Sequence, residues 1–113
     1  MRYLFLIGVG GQPVAADAPR DPSEMDIDDW VEEMDARGTR IIGDRLRPAA
    51  DATTVQVRGG ELLVTDGPYA EGKDYIAGID IIEAADLDEA IDVARRHPMA
   101  HGGIIEIRPF WVD

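Results

Sequence analysis

The chain has 113 residues, no cysteine, 23 acidic against 11 basic residues, and a formal net charge of −12 at pH 7. A chain of this length buries about two-thirds of its unfolded surface and is expected to form one domain, residues 1–113, that needs no disulfide or metal to hold it. Without cysteine there is no thiol catalysis, disulfide or thiolate metal site. The negative field repels phosphate backbones and anionic lipid, so neither nucleic acid nor membrane is expected as a partner.

Tyr3 to Ile7 is short and continuously apolar, the pattern of a strand covered on both faces. The opening MRYLFLIGVGGQPVAADA loosely imitates a signal peptide. Its apolar run is at the short limit and ends in glycines, so a first strand and a cytoplasmic location are expected. No stretch is long enough to span a bilayer. Gly8, Gly10, Gly11, Pro13 and Pro19 predict a mobile loop over residues 8–20. GVGGQP follows a strand but opens no helix, so it is no phosphate-binding fingerprint.

Asp21-Pro22-Ser23-Glu24 reads as a helix start, with Asp21 as N-cap, Pro22 at the first position and Glu24 closing a capping box. Ile27, Trp30, Val31 and Met34 follow at helical spacing, and Gly38 ends the helix. Arg40 to Leu46 predicts a second strand, ended by Pro48.

TTVQVRGGELLVTD predicts a hairpin turning at Gly59-Gly60. Arg58 then faces Glu61, Val57 faces Leu62, Val55 faces Val64 and Thr54 faces Thr65. Leu62, Val64 and Asp66 share a face, so Asp66 is expected to point inward at the end of an apolar stripe, held by the Gly67-Pro68 turn. Tyr75 to Ala84 predicts a third long strand. Asp86-Leu87-Asp88-Glu89 is a second capping box, opening a helix with a buried stripe of Leu87, Ala90, Ile91 and Ala94 and stopped by Pro98. The last strand spans Gly103 to Val112, with Ile105, Ile107 and Trp111 on one face and Ile104, Glu106, Arg108 and Phe110 on the other.

The order predicts an α+β fold: a ferredoxin-like antiparallel sheet with two helices on one face plus an inserted β-hairpin. The helices leave the second sheet face uncovered, although the first and last strands carry apolar residues on both sides. A second copy packed sheet to sheet is the economical cover, giving a homodimer.

VTDGPYAEGKDYIAGIDIIEAADLDEAIDVARRHP followed by GGIIEIRPF resembles the YCII-related proteins, specifically the branch named for an Asp-Gly-Pro-Phe (DGPF) motif. MRYLFLI and PAADATTVQVRGGELLVTDGP fit as well, so the resemblance covers nearly the whole chain. Tyr69 stands where that motif has phenylalanine. The resemblance implies a dimeric α/β-barrel. In the better-studied YCII branch it implies a histidine on the first helix and an aspartate before a proline after the second; this chain has no such histidine and has His97 before Pro98, so that pair is not carried over. Genes of the DGPF branch often neighbour extracytoplasmic-function sigma factors, which implies a regulatory partner by association.

Two readings of Asp66 stand side by side. It is a general base or ligand anchor among apolar neighbours, or its carboxylate accepts backbone N–H groups across the turn. His97 and His101 are the two histidines, and at a helix C-terminus the dipole favours their charged forms. His-x-x-x-His with Asp66 or Glu71 has nominal metal spacing, but Pro98 breaks the helix that would align the rings, so no metal or cofactor is assigned. Arg45 and Arg47 share a strand face and can clamp a carboxylate or phosphate; pairing with acids of the chain is the ordinary alternative. Lys73, beside Asp74, reads as a solvated loop charge. Trp30, Trp111, Tyr69 and Tyr75 read as core or dimer-interface residues. The chain is thus expected to be a small-molecule enzyme or ligand-binding protein. Its site would hold Asp66 and His97 as catalytic candidates and Tyr69, Arg45, Gly67 and Pro68 as ligand contacts. The alternative is a non-catalytic accessory or regulatory protein.

Overall fold

The computed structural model describes residues 1–69 and 76–112. Along the chain run β1 (Arg2–Gly8), α1 (Ile27–Ala36), β2 (Arg40–Arg45), β3 (Thr53–Arg58), β4 (Glu61–Asp66), β5 (Ile76–Glu83), α2 (Leu87–Arg96) and β6 (Ile104–Pro109). Short 3-10 turns lie at Ala49–Asp51 and Pro98–His101. The expected strand start at Tyr75, and Glu71, Lys73 and Asp74 with it, lie outside the described residues.

Four strands form one antiparallel sheet in the order β2-β5-β1-β6, the ferredoxin-like arrangement. Strand alternation sorts the side chains. Tyr3, Phe5 and Ile7 of β1 and Gly78, Asp80 and Ile82 of β5 are buried beneath the helices. Leu4, Leu6, Ile79 and Ile81 point to the opposite face and are half-buried. Trp30, Phe5, Met34, Ile82 and Val93 form the fully buried heart of the core. The Trp30 indole N–H donates to the Val93 carbonyl at 3.0 Å, tying α1 to α2.

Helix α1 starts later than its sequence suggests. Asp26, not Asp21, is the N-cap, accepting the Asp28 N–H at 3.2 Å. Asp21 instead accepts the Ser23 N–H at 2.8 Å and the Ser23 hydroxyl at 2.7 Å, building a turn. A helix running from residue 22 would spend the Met25 N–H within itself. That N–H donates to the Arg96 carbonyl at 2.8 Å, docking the turn on the end of α2. At the other end Gly38, at φ +70°, closes α1 as expected: Thr39 N–H reaches the Met34 carbonyl and Gly38 N–H the Asp35 carbonyl.

Helix α2 starts where expected, with Asp86 accepting the Glu89 N–H at 2.9 Å and Glu89 accepting the Ala85 N–H at 3.2 Å. Its buried stripe is Ala90, Val93 and Ala94; Leu87 and Ile91, expected inside, are about half exposed.

The hairpin has the expected register throughout, and Gly59 and Gly60 both take positive φ, as a two-residue turn of this hand requires. It does not pack on the main sheet. β3 and β4 form a separate two-stranded sheet, closed at its base by the Gly67 N–H to the Ala52 carbonyl and the Thr54 hydroxyl to the Gly67 carbonyl, both at 2.7 Å. Every residue of β4 is exposed, so Asp66 does not face inward within one chain. Ile105 and Ile107 of β6 pack on the core, but the strand ends at Pro109 and Trp111 is fully exposed beyond it. No helix of the described residues is long and apolar enough to cross a membrane.

Candidate functional site

Pro98 ends α2 and leaves His97 as its C-cap with extended backbone. That geometry turns the imidazole inward: His97 is 4 % exposed and meets the Trp30 ring edge-on, with centroids 4.6 Å apart. Its Nδ1 accepts the Met99 N–H at 3.0 Å, so in the neutral ring Nε2 carries the proton. Nε2 has no hydrogen-bond partner among the described residues and is not sealed from solvent. Burial disfavours the imidazolium and pushes the His97 pKa down to about 4. The expectation that the helix dipole favours a charged ring here is therefore overturned: desolvation wins.

Opposite lies the β2–β5 edge. Asp80, in an otherwise apolar strand, is buried and accepts the Arg40 Nε–H at 2.9 Å. Arg40 also reaches Asp35 at 3.1 Å and the Gly43 carbonyl at 2.6 Å. Burial pushes the Asp80 carboxyl above the ordinary carboxylate range, and the Arg40 guanidinium pulls it back. Removing either partner of the Asp80–Arg40 pair would leave the other poorly matched in a place with little water. Gly43 faces Asp80 across the strands and leaves room for its carboxylate.

Between α1, this edge and the end of α2 opens a cleft of about 800 Å³. Ile7, Trp30, Val31, Leu46 and Met99 supply apolar wall; His97, Arg45 and the Asp80–Arg40 pair supply polar groups. The register sets Arg45 opposite Gly78, on the helix side of the sheet.

Of the residues singled out in the sequence, the fold brings His97 and Arg45 together. Asp66, Gly67, Pro68 and Tyr69 lie at the end of the hairpin and do not line this cleft. The Asp66 carboxylate makes no hydrogen bond among the described residues, and Tyr69 is largely exposed. The histidines do not converge. His101 contacts the Arg95 carbonyl through Nε2, its Nδ1 lies 3.9 Å from Glu24, and it lines a separate cavity of about 600 Å³ beneath residues 11–21. Arg47 pairs with Asp51 at 3.1 Å. Sequence reasoning missed Asp80 and Arg40. The signal was there in AGIDIIE, where an acid occupies the inward position between Gly78 and Ile82.

The model of the YCII-related domain matches residues 1–112. The chain belongs to the YCII-related domain family. It is also 43% identical over 67 residues to "Uncharacterized protein R00369" of Rhizobium meliloti (strain 1021). That match spans 58% of this chain and about half, 54%, of the relative.

Proposed function

We propose that this YCII-related protein is a homodimeric small-molecule enzyme or binding protein whose ligand site is the cleft beneath α1. One observation carries the reading: a half-open apolar cleft of ligand size holds a buried neutral imidazole with one ring nitrogen uncommitted. His97 offers a hydrogen-bond donor without charge, and Arg45 offers charge. We further propose that Asp66, Gly67, Pro68 and Tyr69, the partial Asp-Gly-Pro-Phe motif, act at the subunit contact, beside the apolar face of the hairpin.

A thermal-shift screen of metabolites on wild type, Ile27→Trp and Asp66→Asn tests this. Ile27 lines the cleft and is 42 % exposed, so tryptophan there fills the opening without disturbing the core. Ligands that raise the wild-type midpoint should fail on Ile27→Trp and keep their effect on Asp66→Asn. Hits that survive the blocked cleft refute the site. The naked apolar face of the hairpin favours a second reading, an accessory or regulatory protein that docks a protein partner; that reading expects no metabolite response and a partner contact weakened by hairpin substitutions.

A further inference from the structure

Resting on the reading of the cleft as the ligand site, we propose that it takes a small monoanionic carboxylate with an apolar, ring-sized body, Arg45 acting as counter-ion and the His97 Nε2–H as second donor. The argument starts from the distribution of cations. In a chain of net charge −12 almost every arginine is neutralised: eight of the ten have a carboxylate oxygen within 4 Å. Arg45 and Arg58 have none among the described residues. Arg58 sits at the hairpin tip and donates to the Val57 carbonyl; Arg45 lines the cleft.

Arg40, the other arginine at the cleft, is not available to a ligand. Asp80 and Asp35 already match its charge, and they and the Gly43 carbonyl hold each of its three nitrogens. The charge offered to an occupant is therefore that of one guanidinium, whose planar fork suits a carboxylate. Its surroundings set the limit on ligand charge. Asp28 and Asp44 share the lining beside the Asp80–Arg40 pair, so among the described residues a dianionic phosphate would meet two unmatched carboxylates for one unpaired guanidinium, whereas a single negative charge held against Arg45 is tolerated. The Trp30, Val31, Leu46 and Met99 walls favour an apolar body, and a cleft of about 800 Å³ accommodates a ring.

The test is a titration of the ¹⁵N-labelled full chain with benzoate, benzamide and phenyl phosphate, followed by two-dimensional NMR. Benzoate should shift the Trp30 indole and Gly78 amide signals saturably, and should bind more tightly than the other two. Arg45→Met should weaken benzoate about 10-fold or more while leaving benzamide unchanged, Arg45→Lys should recover part of the loss, and Arg58→Met should have no effect. Equal binding of benzoate and benzamide, or tighter binding of phenyl phosphate, overturns the ligand class while the cleft stands as the site. No saturable shift at the cleft with any of the three overturns both.

Discussion

His97 is one side chain whose environment makes the protein's stability depend on pH. Its ring is neutral in the fold because burial removes the water that would solvate an imidazolium, and its pKa falls from 6.5 to about 4. On acidification the unfolded chain takes up this proton first, so its contribution to stability is complete above the unfolded value and drains away as pH falls from 6.5 towards 4. The loss is on the order of 3 kcal/mol. Urea denaturation across that window should show a steep decline in wild type and a flatter one in His97→Gln, which cannot titrate; identical slopes would mean that the ring is solvated. A histidine at a helix end before proline was legible in the sequence, but its burial was not, because that depends on Trp30, sixty-seven residues earlier in the chain, coming to lie against it. Asp80 was legible through alternation alone. Its partner Arg40 was not, since the pair forms only when β2 and β5 align.

At the level of elements, the most local signals read best. The hairpin turn, the Gly38 closure and the Asp86 cap each depend on a few adjacent residues and came out as their sequences suggest. The start of α1 did not. The sequence pointed to Asp21, and a long-range bond from Met25 to Arg96 moves the cap to Asp26. The β2–β5 edge likewise rests on a contact that sequence patterns do not reveal. A Cβ on Gly43 would lie 1.7 Å from an Asp80 carboxylate oxygen and 2.7 Å from the Ile79 carbonyl. Gly43→Ala must therefore push Asp80 off Arg40 or spread the strands. Either change leaves a buried charge poorly matched, and a loss on the order of 3 kcal/mol is expected in chemical denaturation. Glu32→Gln is the control, because Glu32 lies on the exposed face of α1; its change should stay within about 0.5 kcal/mol. A Gly43→Ala loss no larger than that would refute the close packing of Asp80 beneath β2.

The molecule as a whole is more extended than its length warrants. Its radius of gyration is 16.4 Å, against about 13 Å for a compact chain of this size. Two apolar surfaces lie open on it. One is the helix-free sheet face, with Leu4, Leu6, Ile79, Ile81 and the 63 % exposed Ile42. The other is the hairpin face of Val55, Val57, Leu62 and Val64, each more than half exposed. A lone two-stranded hairpin is marginal in water, and a contiguous apolar patch across a whole sheet face marks a contact surface. A twofold axis lets one self-complementary surface cover itself, so a second copy satisfies the sheet face without any other partner. Sedimentation at micromolar concentration should therefore give a dimer for wild type. Ile81→Glu places a charge in the middle of the uncovered face, away from the helix-side core, and should give a folded monomer with unchanged far-ultraviolet circular dichroism. Leu87→Glu, on the exposed flank of α2, should remain dimeric. A wild-type monomer, or an Ile81→Glu dimer, would show that this face is not where two chains meet, and the proposed role of the Asp66 corner at a subunit contact would lose its setting.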